Sequence, residues 1–350
     1  MSIEPVDALR RIAFLLERQR EDTRRVEAYR NAAKVILPLG EEEVRRRVAA
    51  GTLTELAGIG PSTSAVIEQA VAGQVPDRLA ALEEGFAPLA TGGEAMRERL
   101  RGDLHTHSDW SDGGSPIEEM VASAMEAGHE YVALTDHSPR LTVANGLTAA
   151  RLRRQLEVVD AVNAHTGGSF TLLKGIEVDI LDDGSLDQDR DLLARLDVRV
   201  ASVHSKLRME RAAMTRRMVA AVRDPLTSVL GHCTGRRVMP RAGDRGGEGR
   251  SGGRTRPPSE FDAEAVFTAC VESGTAVEIN SRPERQDPPD ELLTLALEMG
   301  CLFTISTDAH APGQLDFLAY GCERAQRLGV PAERVVNTWP VERLVDWASP

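Results

Sequence analysis

Apolar positions in the first 75 residues recur at helical spacing. Leu9, Ile12, Ala13 and Leu16 form one stripe, and Val26 to Leu37, with Tyr29 and Ile36 among its apolar positions, forms a second. Leu53 to Leu56 leads into the turn Gly58-Ile59-Gly60-Pro61-Ser62 and a helical Thr63 to Ala72. Beyond residue 101 the pattern changes to short apolar runs alternating with longer helical ones, which predicts βα units around a parallel sheet. The runs lie between Asp103 and His107, then at Tyr131–Leu134, Phe170–Leu173, Val198–Ala201, Ser228–Leu230, Ala276–Ile279 and Leu302–Ile305. Helices are expected over Pro116–Ala127, Ala149–Ala164, Glu210–Val222, Asp262–Ser273, Asp290–Met299 and Leu315–Leu328. Ser115 is a plausible cap for the first of these and Pro116 fits its first turn. Seven strands, one short of the usual eight, predict an α/β chain with a closed but irregular barrel. A small all-α domain (1–87) and a Pro-, Gly- and Arg-containing linker (88–101) precede the barrel (102–350).

The polar residues that follow the strands change the picture from fold to chemistry. His105, His107 and Asp112 come first, then His137, Glu177, His204 and His232, and finally Asp308 and His310. Imidazoles and carboxylates presented at successive strand ends are how an α/β barrel builds a metal site. Neutral imidazole suits zinc, manganese and iron, while the carboxylates supply harder and bridging oxygens. His129 and His165 lack this setting and read as structural. Asp136, Asp179 and Glu278 are placed to orient the imidazoles. No Ser or Cys stands in a nucleophile motif. Lys206, Arg236, Arg282 and Arg285 follow strand ends and are candidate phosphate holders.

From about Arg101 to Pro350 the chain resembles the polymerase and histidinol phosphatase (PHP) domain, in the version attached to bacterial family X DNA polymerases. His105-Thr-His-Ser, Ser111-Asp-Gly, Leu134-Thr-Asp-His137-Ser, Gly175-Ile-Glu177, Ser202-Val-His204-Ser, Gly231-His232, Glu278-Ile-Asn280, Thr307-Asp-Ala-His310 and Asn337-Thr-Trp-Pro340 carry the likeness. The resemblance implies a distorted seven-stranded (β/α)7 barrel and a trinuclear centre. His105, His107, Glu177 and Asp308 would hold one ion, and Glu177 would bridge to a second shared with His204 and His232. Asp112, His137 and His310 would hold the third. Glu177, Asp308 and His310 are the candidate catalytic residues, with two to three divalent ions as cofactors: manganese or zinc, with iron as a further option.

The amino-terminal segment resembles the small lyase-type domain of the same polymerases. Its Gly58-Ile59-Gly60 turn is similar to a helix-hairpin-helix, which grips a nucleic-acid backbone through amide N–H groups. Two departures limit the likeness. The polymerase palm and fingers should lie between the two regions, where only Phe86 to Arg101 is found, so no polymerase activity is expected. The lysine that forms a Schiff base in the lyase domain aligns with Val66, which has no amine, so lyase activity is not expected either.

Composition bounds the rest. With 350 residues and 41% hydrophobic content there is core enough for a barrel and one small domain. A net charge of −12 argues against general adhesion to nucleic acid, and the amino-terminal domain is nearly balanced. The exception is an Arg/Gly-rich insertion over 236–258, expected as a solvated loop or as a clamp for nucleic-acid phosphates. Four cysteines without a CxxC pair, no long apolar run and no leader-like amino terminus predict a reduced, cytoplasmic setting and no membrane partner. The expected function is a metal-dependent phosphoesterase on DNA, acting on single strands or 3′ ends as a 3′-5′ exonuclease or end-cleaning hydrolase. The alternative is a phosphatase for a small monoester such as histidinol phosphate, and the third reading is a non-catalytic DNA-binding protein.

Overall fold

The computed structural model describes residues 3–239 and 255–350. Most of the Arg/Gly-rich insertion, including Arg241, Arg245, Arg250 and Arg254, therefore lies outside the described residues. Its flanks meet in an antiparallel bridge, Arg237 with Arg256, through reciprocal main-chain hydrogen bonds of 2.8 and 2.9 Å. The chain divides into two compact units that part after Pro88.

The first unit is helical: α1 (Pro5–Arg18), α2 (Thr23–Ile36), α3 (Gly40–Ala50), α4 (Pro61–Val71) and α5 (Asp77–Glu84). Pro5 opens α1 where its missing N–H costs nothing, and the Asp22 side chain caps α2 by accepting from Arg24 N–H at 3.0 Å. Leu9, Ile12, Ala13 and Leu16 are wholly buried with Ile36 and Ile67. Each large apolar side chain so buried contributes about 1.5–3 kcal/mol. A bidentate ion pair, Arg30 to Glu17 at 2.8 and 2.9 Å, lies in the same interior. The Gly58–Gly60 turn enters α4 with Gly58 at φ +96°, which a side chain rarely adopts. Gly60 N–H donates to Thr63 Oγ1 at 3.0 Å. Val66 is buried in the apolar core.

The second unit opens with α6 (Glu94–Arg99), inside the segment expected as a linker. Its Met96 is buried in the barrel core, an anchor that one methionine among polar residues does not advertise. Seven parallel strands follow in sequential order: β1 (Gly102–Thr106), β2 (Tyr131–Leu134), β3 (Thr171–Asp179), β4 (Val198–Ser202), β5 (Val229–Leu230), β6 (Ala276–Asn280) and β7 (Phe303–Ser306). Between β7 and β1 the ladder shrinks to one bridge, Thr106 with Ala309. There the buried Asp103 carboxylate accepts the Thr307 N–H at 3.2 Å across the seam. The result is a nearly closed seven-stranded barrel.

Helices α7 (Ile117–Glu126), α8 (Ala149–Thr166), α9 (Arg190–Leu193), α10 (Arg211–Val222), α11 (Ala263–Ser273), α12 (Asp290–Met299), α13 (Leu318–Arg327) and α14 (Val341–Ala348) surround it. Pro116 precedes α7 as an extended cap with ψ 161°, one step outside the expected first turn. The helix expected from Leu315 begins as a 3₁₀ turn, Pro312–Phe317, and becomes α-helical only at Leu318. Helices as short as α9 and α14 fall below the window in which periodicity can be read.

Candidate metal centre

Six strand ends, those of β1 to β5 and β7, and the loop after β1 bring all nine expected donors to one end of the barrel. Glu177, at the C-terminal end of β3 and 1% exposed, is the hub. Its Oε1 lies 2.8 Å from His232 Nε2 and 3.2 Å from His204 Nε2. Its Oε2 lies 2.9 Å from His137 Nδ1, 3.3 Å from His105 Nε2 and 3.6 Å from His107 Nε2. Asp308 turns Oδ1 toward His107 Nε2 at 3.4 Å. On the outer side, Asp112 Oδ1 is 3.3 Å from both His137 Nε2 and His310 Nε2. Donor atoms gather in three overlapping sets: His105, His107 and Glu177; His137, Glu177 and His204; and His107, Asp112, His137 and His310. His107 and His137 each join two sets, a sharing that the family pattern did not convey.

Neighbouring groups fix the rings. His105 Nδ1 faces Glu278 Oε1 at 2.6 Å, which leaves Nε2 for the centre, and Glu278 Oε2 accepts the His232 main-chain N–H at 2.6 Å. Asp179 Oδ1 accepts from His204 N–H at 3.1 Å and faces its Nδ1 at 3.2 Å. Asp136 has a different partner set from the one expected: its carboxylate touches no imidazole and holds the Ser108–Ser111 turn instead.

The side chains alone carry opposed charges. Burial disfavours charge on Glu177, but His204, His105 and His137 hold its carboxyl well below the usual range. Burial likewise opposes protonation of His137, yet Glu177 and Asp112 raise it to about 10. His107 goes the other way, because burial and the facing His310 and His137 rings keep it neutral. Asp308 is buried but stays ionised beside Arg285 and Arg282.

The donor set fits divalent cations by a direct criterion. His105 Nε2, both ring nitrogens of His107, His137 Nδ1, His204 Nε2, His232 Nδ1 and Glu177 Oε2 are buried without a hydrogen-bond partner. Such groups cost about 1–3 kcal/mol each when left unmet. A cation among them would meet the atoms that face Glu177, at most one nitrogen per ring, and balance the carboxylates, so the cluster suits divalent metal binding.

The four candidate phosphate holders are engaged within the protein. Arg285 Nε donates to Asp308 Oδ2 at 2.9 Å, and Arg282 Nη1 donates to Asp308 O at 2.6 Å. Arg236 Nε reaches the main-chain carbonyls of Arg285 and Gln286 at 3.1 Å each. Lys206 pairs with Asp182 on the surface. Sequence reasoning missed that Arg282 and Arg285 fasten Asp308, and it missed Gln155 and Arg151 of α8, which hold the loop after β1. Gln155 left one trace: it is a polar residue in the apolar stripe Leu152, Leu156, Val159.

A nearly closed parallel barrel with a buried His/Asp/Glu cluster at the C-terminal strand ends defines the class as a barrel protein with a candidate metal centre. The family model of the PHP domain matches residues 103–282, more than half of the chain, and that of a helix-hairpin-helix domain matches residues 3–75. The chain belongs to the PHP-domain family and is of the type that accompanies family X polymerases, without the polymerase part.

The DNA polymerase/3′-5′ exonuclease PolX of Bacillus subtilis (strain 168) is 38% identical over 239 residues, 68% of this chain. The match spans 39% of that relative's length. A curated "probable phosphatase" of Thermoanaerobacter sp. (strain X514) is 26% identical over 250 residues, 67% of this chain and 89% of the relative. Among solved structures, histidinol phosphate phosphatase from Lactococcus lactis, complexed with zinc, L-histidinol and phosphate, aligns with a TM-score of 0.42. That alignment has 17% identity and covers 65% of this chain and 92% of the other. Among the described residues no helix is long and apolar enough to cross a membrane.

Proposed function

We propose that this protein hydrolyses phosphodiester or phosphomonoester groups at DNA ends, as a 3′-5′ exonuclease or 3′-end-cleaning hydrolase. The observation that carries the reading is the union, in one chain, of the Glu177-centred donor cluster with a helix-hairpin-helix domain. The relative with a 3′-5′ exonuclease in its name supports the same substrate class. His105, His107, Glu177 and Asp308 would hold one ion, Glu177, His204 and His232 a second, and Asp112, His137 and His310 a third, with manganese, zinc or iron as the metals. Bound there, divalent ions neutralise the phosphate, make a nucleophile available near neutral pH and stabilise the leaving oxygen.

The chain's own residues prepare that chemistry. Glu177 presents both oxygens to the centre, so it can bridge. Asp308 is steadied on Oδ2 by Arg285 and Asn280, which frees Oδ1. His310 keeps 14% of its side chain exposed and Asp112 27%, which supports access from solvent on this side of the cluster. In the Gly58-Ile59-Gly60 turn Ile59 N–H donates to Leu56 O and Gly60 N–H to Thr63 Oγ1, so contact with the DNA backbone would fall to Gly58 N–H and the first turn of α4.

The second reading, a phosphatase for small monoesters, is favoured by the probable phosphatases, whose length is 89% matched by two thirds of this chain. A side-by-side assay on end-labelled DNA and on histidinol phosphate, with manganese and zinc tested separately, decides between them. Preference for histidinol phosphate with no release of nucleotides from DNA would overturn the DNA reading.

A further inference from the structure

Asp112 differs from the other donors in how it is held. The rest stand at strand ends or just beyond, on backbone fixed by the sheet. Asp112 stands on the loop after β1, with 27% of its side chain exposed, and its Oδ1 faces two imidazole nitrogens. Its position depends on a turn. Ser111 N–H and Gly113 N–H both donate to Ser108 O, at 3.1 and 2.9 Å. A Cβ at Gly113 would come within 2.6 Å of that oxygen, so only glycine allows the closure.

A lattice of hydrogen bonds from outside the centre fixes this turn. The buried Asp136 carboxylate accepts from Ser108 N–H at 2.9 Å, from Ser108 Oγ at 2.6 Å, and from Ser111 Oγ. Gln155 Nε2 of α8 donates to the same carboxylate at 2.5 Å and holds it in place. Four residues earlier on the same face, Arg151 donates to Trp110 O, and to Asn145 O at 2.6 Å. One helix therefore holds the turn twice, at Trp110 directly and at Ser108 and Ser111 through Asp136. None of these bonds reaches an imidazole.

We infer that this lattice, through Gln155 and Arg151, sets the position of Asp112 and so the affinity of the outer set, His107, Asp112, His137 and His310, for its ion, with less effect on the sets that contain Glu177. The inference rests on the metal-centre reading above. The physical reason is that a carboxylate ligand binds a cation well only when pre-positioned, and loss of an outer partner costs about 10–100-fold in metal affinity. His105, His204 and His232 owe their positions to strand backbone and to Glu278 and Asp179, which the lattice does not touch, whereas His107 and His137 serve both the outer and the inner sets. Gln155 and Arg151 are thus positioning residues, and the outer ion fills and empties as a separate step that grades activity with metal supply.

The test uses the full chain with Gln155→Leu, Arg151→Met and, as the mildest change, Ser111→Ala. Bound metal is counted by elemental analysis after equilibration against graded Mn2+, with melting temperature and hydrolysis of a chromogenic phosphate ester followed in parallel. Gln155→Leu and Arg151→Met should leave the tightly bound ions in place and raise the Mn2+ concentration that fills the last site by about 10–100-fold. Ser111→Ala should shift it in the same direction by less. Excess Mn2+ should restore both the full count and kcat, a rescue that a damaged fold would not give. Unchanged titration curves, loss of inner and outer ions in equal proportion, or failure of excess Mn2+ to restore the count would each overturn the inference while leaving the metal centre standing. A wild-type chain that holds no ion at any Mn2+ concentration would overturn the metal-centre reading and the inference with it.

Discussion

The two ends of the barrel bury polar groups to opposite effect. At the end where the strands begin, Arg199 is wholly buried, yet its guanidinium donates to Leu226 O at 3.0 Å, to Leu196 O at 2.5 Å and to Ala348 O. Tyr131 Oη donates to Trp339 O at 2.9 Å, and Trp347 Nε1 to Gly274 O at 3.0 Å. These bonds tie α14 and its approach to the strands. At the other end His105, His107, His137, Glu177 and His232 are buried and His204 nearly so, yet they leave nitrogens and an oxygen without a hydrogen-bond partner. Met polar groups at one end lock the fold. Those at the other end, kept in place by Glu278, Asp179, Asn280 and Arg285, face one another across the cluster, where a bound cation would offset their burial.

The largest effect that tests this contrast belongs to Glu177. Because it faces five imidazoles, Glu177→Ala should remove more than one ion and lower phosphoester hydrolysis by roughly 10³-fold or more. Full metal content in that variant, measured after gel filtration, would remove its bridging role.

Glu278→Gln keeps the shape but weakens the carboxylate facing His105 Nδ1 and the acceptor of His232 N–H, so metal affinity should drop about 10–100-fold. Competition with a chelator reads this directly, and the contrast weakens if affinity stays put.

At the opposite end Arg199→Met should act on stability alone. Three carbonyls lose their donor, for a loss of roughly 1–3 kcal/mol in urea unfolding, while kcat of the folded fraction stays at the wild-type value. A fall in kcat with unaltered stability would mean that the two ends are coupled.

His129 is a partial exception at that same end, and it gives the smallest and most pH-specific effect. Arg97 Nη2 lies 3.1 Å from its Nε2, and a guanidinium only donates, so that nitrogen carries a lone pair. Burial, with Arg97 beside it, depresses the ring to about 3 from 6.5. The unfolded chain therefore binds a proton that the folded chain refuses. Stability from the neutral ring is present above about pH 6.5 and is lost as pH falls toward 3. His129→Gln should flatten the slope of unfolding midpoint against pH between 6.5 and 5; an identical slope in both proteins would assign the acid sensitivity elsewhere.

The sequence by itself determined which residues could meet and on what scaffold. The alternation of apolar runs with helical stripes gave seven strands and most of the helices, because strand and helix periods are local properties of the chain. The placement of His137, Glu177, His204 and His232 after those strands then forced convergence, since parallel strands of a barrel end on one face. The amino-terminal stripe Leu9, Ile12, Ala13, Leu16 was readable for the same reason, and each of the four is fully buried. What only the tertiary structure decided was direction and partner. Arg282 and Arg285 look like free cations along the chain, but the fold turns both onto Asp308. Asp136 adjoins His137 in sequence, but the fold aims its carboxylate at the Ser108 turn. Gln155 lies 43 positions from Asp112, yet it bonds the Asp136 carboxylate that holds the turn carrying Asp112. Periodicity reports which face of an element is buried; a side-chain hydrogen bond between elements distant in sequence depends on angles and distances that exist only once the barrel has closed.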